Sequence, residues 1–348
     1  MKRTTKRLLS NQVKQRVNVT PNKRQEYDGD SEIMISTGST LLDLSISGGR
    51  VKGGGIPAGI LVEIFGPSGS GKTVMLCEIA GDVQRKGGAV MFNDPESRLN
   101  KSFARIFNLN TDKMQYSTPN TVPEVFAAVR KWEPEEEGIN GIFADSLAAL
   151  STDLEMDKDE GDKMGMRRAK EFSEELRKTC RILAQRRFLM VCSNQVRQNQ
   201  DAGPYGPKYR APGGEAIGFY SSLRLRAGNP TKIKEKKTIS GKEVIRVIGV
   251  RTEVEVFKSS IWKPFRTAPV TILFDYGIDD IRENLQFLKD HSNSTIYVIG
   301  NRKLSKSRSE SISIVEEEGL EEKLREEVIK LWEVIDKKFE SNRKKKQR

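Results

Sequence analysis

Histidine and cysteine are scarce in this sequence. Its 348 residues include one histidine, His291, and three cysteines, Cys77, Cys180 and Cys192. The cysteines are far apart in apolar stretches, so they match neither a metal-binding spacing nor a disulfide framework. The histidine lies in a polar stretch typical of a solvated surface. These shortages exclude histidine-based nucleophilic triads and histidine clusters that bind a metal, and they favour a reducing, cytoplasmic location.

Long apolar runs are also missing. The longest ones, such as Leu61–Phe65, fall far short of the roughly 20 residues that a membrane-spanning helix needs. With 36% hydrophobic and 31% charged residues, the composition is typical of a soluble globular protein. We therefore expect no membrane-spanning segment.

Acidic residues are outnumbered by basic ones, which gives a formal net charge of +12. Such a balance attracts polyanions, and nucleic acid is the leading candidate, although a solvated basic surface fits the charge equally well. Residues 1–32 read as a basic N-terminal arm and residues 341–348 as a basic tail. The arm is also rich in arginine and poor in acids at its start, as organellar transit peptides are.

From Ile33 onward, short β-rich runs alternate with amphipathic segments, which is the pattern of an α/β domain. Near-continuous apolar runs predict buried parallel strands. We predict these strands at 61–65, 89–92, 141–144 and 188–192, helices at 73–86, 123–132 and 166–187, and later strands at 223–225, 244–256 and 270–274. A change in texture after Gly277 predicts a core domain over 33–280 and a small C-terminal α/β domain over 281–340.

The first confident strand leads directly into a glycine-rich loop that ends in a lysine and a hydroxyl. In such a loop, glycines let backbone N–H groups converge on phosphate oxygens, the lysine neutralises β/γ charge, and the hydroxyl binds Mg²⁺. All eight positions of a phosphate-binding loop are filled, by Gly66, Pro67, Ser68, Gly69, Ser70, Gly71, Lys72 and Thr73. We therefore predict an ATPase that uses ATP and Mg²⁺.

Carboxylates follow two further predicted strands. Asp145 directly follows the strand 141–144 and is the candidate second metal ligand. Hydrolysis also needs a group that orients or deprotonates water, and Asp94 and Glu96 both lie just past the strand 89–92. Spacing alone does not choose between these two residues.

Further segments appear in the order and spacing of a known family. They are Ile35–Asp43, Gly53–Gly59, Val62–Pro67, Asp145–Leu150 and Asn194–Arg197. Together they make the sequence resemble the RecA family of bacterial and phage strand-exchange recombinases, over about residues 33–290 and weakly to 335. The resemblance implies a RecA-type P-loop ATPase core, with a mostly parallel sheet flanked by helices.

The resemblance implies roles for residues around the nucleotide. Glu96 rather than Asp94 activates the attacking water, and Gln195 senses the γ-phosphate and couples it to DNA binding. Phe103 stacks on adenine, and Asn100 replaces an adenine-contacting acid. Lys72, Glu96 and Gln195 are thus the candidate catalytic residues.

The same resemblance implies that the ATP site lies between subunits. Lys258 aligns with one of two lysines that reach the neighbouring subunit's phosphates, whereas Ser260 occupies the position of the other. Nearby Lys263 is a candidate substitute. Phe219, within a segment that matches the family's subunit interface, is the candidate coupling residue in a helical homo-oligomer.

Two DNA-binding loops are implied, at about Glu155–Lys170 and at Arg197–Gly214. Basic side chains there suit phosphate contacts, and an aromatic ring suits base stacking. The candidate residues are Met164, Arg167, Arg168 and Lys170 in the first loop and Arg197, Lys208, Tyr209, Arg210, Gly213 and Gly214 in the second.

The expected function is therefore recombination. The protein is expected to form filaments on single-stranded DNA, to pair that strand with homologous duplex DNA, and to hydrolyse ATP when stimulated by DNA. Two alternatives use the same core: an accessory paralogue that binds DNA and ATP without strand exchange, and a hexameric helicase. The intact set of Lys72, Glu96, Asp145 and Gln195 argues against a degenerate paralogue, and the Gly213–Gly214 motif argues against a helicase.

Overall fold

The computed structural model describes residues 33–151, 164–195, 197–198, 209–210, 216–341 and 343. The helices in this part of the chain are α1 (Thr40–Ser47), α2 (Lys72–Arg85), α3 (Lys101–Ile106), α4 (Val122–Lys131), α5 (Met164–Arg186), α6 (Ala216–Tyr220), α7 (Asp280–Asp290), α8 (Arg308–Glu318) and α9 (Glu321–Lys338). The strands are β1 (Met34–Ile35), β2 (Ile56–Pro57), β3 (Leu61–Gly66), β4 (Val90–Asn93), β5 (Met114–Ser117), β6 (Gly141–Ala144), β7 (Leu189–Gln195), β8 (Arg197–Gln198), β9 (Tyr209–Arg210), β10 (Leu223–Ala227), β11 (Thr231–Ile239), β12 (Lys242–Ser259), β13 (Thr267–Leu273), β14 (Gly277–Ile278), β15 (Val298–Ile299) and β16 (Arg302–Lys303).

One large mixed sheet organises the chain. Its strand order is β14-β13-β12-β10-β3-β7-β6-β4-β5, and β11 pairs with β12 outside this path. Strands β10, β3, β7, β6, β4 and β5 are parallel to one another, whereas β12 pairs with β10 in antiparallel fashion and β11, β13 and β14 continue that antiparallel part. The predicted fold class, α/β with a mostly parallel sheet flanked by helices, is confirmed.

Apolar runs in the sequence predicted the parallel strands β3, β4, β6 and β7 correctly, because both faces of these strands are buried. Every residue of β3, β4 and β6 is buried, and in β7 only the last residue is exposed. Strand β6 has the predicted bounds, and the others differ from the prediction by a few residues at their ends. Backbone hydrogen bonds, rather than hydrophobicity, set those ends, as in the extension of β7 through three polar residues to Gln195.

Two hydrophobic cores lie on opposite faces of the sheet. Alternate residues of β3 divide between them, since Val62 and Ile64 pack on the face covered by α2, while Leu61 packs on the other face. Helices α4 and α5 cover that second face. Alternation along a strand therefore separates the side chains that meet α2 from those that meet α4 and α5.

The C-terminal elements continue the first core. Helix α7 packs on β13, and α9 packs on α1 and α7. An ion pair between Arg266 and Asp336, with the Arg266 guanidinium 4.8 Å from the centre of the Trp332 ring, fixes α9 to the segment after β12. The division into a core at 33–280 and a small domain at 281–340 stays a prediction. Among the described helices, none has the length and apolar character needed to cross a membrane.

Candidate functional site

The phosphate loop lies at the carboxyl end of the central strand β3. The strand ends at Gly66 and α2 begins at Lys72. Gly71, just before the helix, has a φ of +88°, and a Cβ atom at this residue would lie 2.2 Å from Ile272 Cδ1. The positive φ and this close contact favour glycine at the turn. The loop therefore meets the N-terminus of α2, whose first N–H groups and positive dipole end suit a phosphate.

Lys72 lies at the base of this loop with its charge largely withdrawn from solvent. It is 9% exposed, and its Nζ donates to the carbonyl oxygens of Gly66 at 3.1 Å and Pro67 at 2.8 Å. Burial lowers the pKa of the Lys72 ammonium, and the nearby charges of Asp145 and Glu96 oppose that shift. The loop thus holds a cation close to two carboxylates.

Thr73 and Asp145 are hydrogen-bonded neighbours. Thr73 Oγ1 donates to Asp145 Oδ2 at 2.6 Å, and the Ser193 hydroxyl donates to Asp145 Oδ1. Hydroxyl and carboxylate oxygens are the hard ligands that Mg²⁺ prefers, and Mg²⁺ is usually bound by one or two protein groups together with phosphates and water. Among the described residues, no group of three or more His, Cys, Asp and Glu side chains forms a metal cage. The donor set at Thr73 and Asp145 therefore fits Mg²⁺ held jointly with a nucleotide.

A single cleft brings together residues from the parallel and the antiparallel parts of the sheet. Its volume of about 390 Å³ falls within the range of small-molecule sites, roughly 300–1,000 Å³. The cleft is lined by most of the phosphate loop and by the predicted residues Lys72, Thr73, Glu96, Asn100, Phe103, Asp145 and Gln195. Residues distant in sequence thus meet at one edge of the sheet.

The two competing carboxylates after β4 have different surroundings. Asp94 is 2% exposed, and its Oδ2 accepts hydrogen bonds from the Leu99 N–H at 2.7 Å and the Tyr116 hydroxyl at 2.9 Å. The Glu96 carboxylate instead accepts from the Ser146 hydroxyl at 3.3 Å and pairs with Arg98 at 2.8 Å. Asp94 therefore organises the loop after β4, and Glu96 is the carboxylate with the more open position.

The Tyr116 hydroxyl gives a first testable prediction. Burial raises the pKa of Tyr116 to about 12, and the adjacent Asp94 carboxylate adds to the shift. Changing Tyr116 to Phe should lower the free energy of unfolding at pH 7 by about 1 kcal/mol, the usual net contribution of one hydrogen bond. Because the folded protein favours the protonated phenol, this contribution should be complete below the unfolded pKa of 10.0 and disappear as the pH rises through about 12. Urea denaturation checks it, and equal stability of the two proteins at pH 7 would contradict it.

The predicted adenine-contacting residues lie on the short helix α3. The Asn100 side chain caps this helix by accepting from the Phe103 N–H at 3.1 Å. The Phe103 ring is 38% exposed and packs edge-on against Phe107, with ring centres 4.4 Å apart. Phe103 thus lines the cleft with a partly exposed ring, while the Asn100 oxygen is already used by the helix.

Gln195 ends β7 directly opposite Gly66 in the parallel pairing with β3. Its side chain is exposed at the cleft. The preceding residue, Asn194, points to the other face of the sheet, where its Nδ2 donates to Glu63 Oε1 at 2.9 Å. Glu63 also pairs with Arg224 Nε at 2.6 Å. Successive residues of β7 thus contact the nucleotide cleft and a buried ion pair.

Lys258 and Phe219 lie together, away from the cleft of their own chain. Lys258 Nζ donates to the carbonyl oxygens of Gly218 at 2.9 Å and Phe219 at 2.8 Å, at the end of α6. Burial lowers the pKa of Lys258, and the charge of Arg224 adds to that effect. The Phe219 side chain is 76% exposed. Lys263, the candidate substitute, instead pairs with Asp336 at 3.4 Å.

The predicted DNA-binding residues are only partly described. Met164, Arg167, Arg168 and Lys170 begin α5, so this end of the first predicted loop is helical, and Lys170 is exposed. Arg197 pairs with Arg210 between β8 and β9, and Tyr209 lies beside Arg210 in β9. Lys208, Gly213 and Gly214 lie outside the described residues.

Sequence reasoning missed several residues at the cleft. Ser193 binds the Asp145 carboxylate, Ser146 binds Glu96, and Arg98 pairs with Glu96. Val250 and Ile272, from the antiparallel strands, close one side of the cleft. Arg98 and Ser146 lie within two residues of predicted site residues, which was the available signal. Val250 and Ile272 carry no such signal, because only the sheet topology brings them there.

Comparison with known proteins shows the family of this chain. The RecA N-terminal domain family matches residues 16–279. A protein named Protein RecA from Wolbachia sp. subsp. Brugia malayi is 33% identical over 72% of this chain and 66% of its own length. Others of that name, from Borrelia hermsii and Thermus thermophilus, are 30% identical over 84% of this chain and 81% of their own and 33% identical over 72% and 69%, respectively. This chain belongs to the RecA family of recombination proteins.

Proposed function

We propose that this protein forms filaments on single-stranded DNA and promotes homologous pairing and strand exchange, with DNA-stimulated, Mg²⁺-dependent ATP hydrolysis. The observation that carries the proposal is the cleft at the end of the parallel strands. It combines the phosphate loop, the Thr73–Asp145 pair, Glu96 and Gln195. Phosphoryl transfer needs a phosphate-binding loop, metal ligands and a group that orients or deprotonates water, and this cleft offers a candidate for each.

In the proposed reaction, Glu96 accepts a proton from the attacking water. The water oxygen bonds to the γ-phosphorus, the bond from that phosphorus to the β–γ bridging oxygen breaks, and ADP leaves with the electron pair. Lys72 neutralises charge on the phosphates. Mg²⁺ held by Thr73 and Asp145 would supply further charge neutralisation on the phosphate oxygens.

Filament formation is supported by the surface around α6. The ring of Phe219 is 76% exposed and is therefore accessible to a neighbouring copy. Lys258 lies beside it and does not line its own cleft. We propose that Phe219 packs against a neighbouring copy and that Lys258 contributes to that neighbour's nucleotide site.

DNA contact is proposed for the start of α5 and for the β8–β9 region, supported by their basic residues and the net charge of +12.

A cytoplasmic location is part of the proposal. The three cysteines are free and at least partly buried, as expected of thiols in a reducing compartment.

ATP hydrolysis with and without single-stranded DNA tests the proposal, followed by a joint-molecule assay with homologous and heterologous duplex DNA. Single-stranded DNA should increase turnover, and EDTA should abolish it. Lys72→Ala should lower turnover by at least about 100-fold, because a preorganised charge contact to the reacting phosphate is lost. Arg85→Ala is the matched control, since this 51% exposed cation ends the same helix far from the loop.

DNA-independent turnover without joint molecules would defeat the recombinase proposal. That result would favour an accessory DNA-binding ATPase of the same family.

A further inference from the structure

The cleft contains two cations and three carboxylates among its described lining residues. The cations are Lys72 and Arg98, and the carboxylates are Asp94, Glu96 and Asp145. The carboxylates outnumber the cations, and a bound triphosphate adds several further negative charges. Lys72 is buried and is held at the base of the phosphate loop. Arg98, whose side chain is 79% exposed, is therefore the cation that can respond to the terminal phosphate.

The backbone that presents Arg98 is well anchored. Asp94 accepts from the Ser97 N–H through its carbonyl at 3.0 Å and from the Leu99 N–H through its carboxylate at 2.7 Å. Ser97 takes a positive φ of 52°, which tightens the turn. Hydrogen bonds on both sides of Arg98 thus fix the start of its side chain beside Glu96, while the long side chain keeps its rotamer freedom.

The guanidinium pairs with the carboxylate proposed to activate water. Arg98 Nη1 lies 2.8 Å from Glu96 Oε2, and Ser146 donates to the other oxygen at 3.3 Å. An ion pair with so exposed a partner contributes little to stability, because water screens it. A phosphate offers more charge and oxygens that match the planar guanidinium in pairs. A terminal phosphate therefore competes well with Glu96 for Arg98.

We propose that Arg98 is a further catalytic residue, which moves from Glu96 to the γ-phosphate when ATP binds. This inference rests on the proposed ATP hydrolysis. One side-chain movement then has two effects. It places a cation on the γ-phosphate oxygens over which charge is spread in the transition state, and it releases a Glu96 oxygen to accept the proton of the attacking water. ADP lacks the terminal phosphate and leaves Arg98 with Glu96.

Three variants test the role of Arg98: Arg98→Ala, Arg98→Lys and, as a matched control, Arg105→Ala. Arg105 is also exposed and pairs with a carboxylate, Asp112, at 2.8 Å, but it does not line the cleft. The measurements are DNA-stimulated turnover and the affinities for fluorescent ADP and for a non-hydrolysable fluorescent ATP analogue.

Arg98→Ala should lower kcat at least about tenfold, a small part of what arginine contacts contribute to phosphoryl transfer. It should also weaken the ATP analogue about tenfold while leaving ADP unchanged, because one charge-assisted contact is lost. Arg98→Lys should recover part of both losses, and Arg105→Ala should show neither.

Unchanged or faster turnover in Arg98→Ala, with an unchanged preference for the analogue over ADP, would overturn the inference. Faster turnover would in addition make Arg98 a restraint on Glu96. The binding measurements do not need hydrolysis, so they test Arg98 even if the wild-type protein fails to hydrolyse ATP, a failure that would count against the proposed function instead.

Discussion

Changing Glu96 to Gln is expected to lower DNA-stimulated ATP turnover by about 10²–10⁴-fold, the range that general-base catalysis contributes. The amide keeps the shape of the side chain and can still accept from Ser146, but it cannot take a proton from water. Binding of ATP should remain, because Lys72 and the loop are unaffected. Steady-state kinetics and nucleotide titration measure the two effects separately. Turnover close to that of the wild type would exclude Glu96 as the base.

The neighbouring carboxylate supplies the control. Asp94→Ala removes the acceptor of two hydrogen bonds, from Leu99 and Tyr116. It should lower the free energy of unfolding by about 1–3 kcal/mol. Glu96→Gln should change it by no more than about 0.5 kcal/mol, as is usual for partly exposed positions. If Asp94→Ala loses stability and Glu96→Gln loses turnover, then Asp94 has a structural role and Glu96 a chemical one.

The second large effect is expected on stability, at the ion pair beneath α6. Arg224 and Glu63 meet at 2.6 Å with side-chain exposures of 19% and 1%. The guanidinium also lies 4.6 Å from the centre of the Phe65 ring and 5.4 Å from that of Phe257. Arg224→Leu should therefore lower the free energy of unfolding by about 3–5 kcal/mol, because it leaves a buried carboxylate without its cation. Chemical denaturation measures this loss.

Two comparisons separate the buried charge from the lost side chain. Arg226 lies two residues further along β10, and its side chain is 52% exposed. Arg226→Leu should lower the free energy of unfolding by no more than about 1 kcal/mol. The double variant Glu63→Leu/Arg224→Leu should be much more stable than the sum of its single changes predicts, because no unpaired charge remains. Strictly additive losses would show that packing rather than charge dominates.

The parts of this protein that sequence predicts best are those set by local pattern. The strand around Leu61–Phe65, the loop from Gly66 to Thr73 and the helix after it were found from apolar runs and motif spacing, and the structure places each one there. The strand ends at Asp145 and Gln195 reach one cleft because the carboxyl ends of parallel strands share an edge of the sheet.

What depends on contacts between distant elements was not predicted. The pairing of Arg224 with Glu63 joins residues 161 positions apart, and the sequence around neither residue predicts it. The difference between Asp94 and Glu96 is likewise set by Tyr116, which lies on the next strand along the chain. Helix α5 begins at Met164, a little before its predicted start, and takes in residues expected in the first DNA-binding loop.

The end of β7 restricts which insertions the protein can tolerate. Ser193, Asn194 and Gln195 alternate between the sheet's two faces, towards the Asp145 carboxylate, the Glu63 carboxylate and the cleft. Adding or deleting one residue between Leu189 and Ser193 would reverse all three at once, since side chains in a strand have a period of two. A deletion would place the Asn194 amide opposite Asp145, and an insertion would place the Ser193 hydroxyl, which is too short for its partner, opposite Glu63. The spacing of this strand is therefore as much a part of the site as the residues themselves.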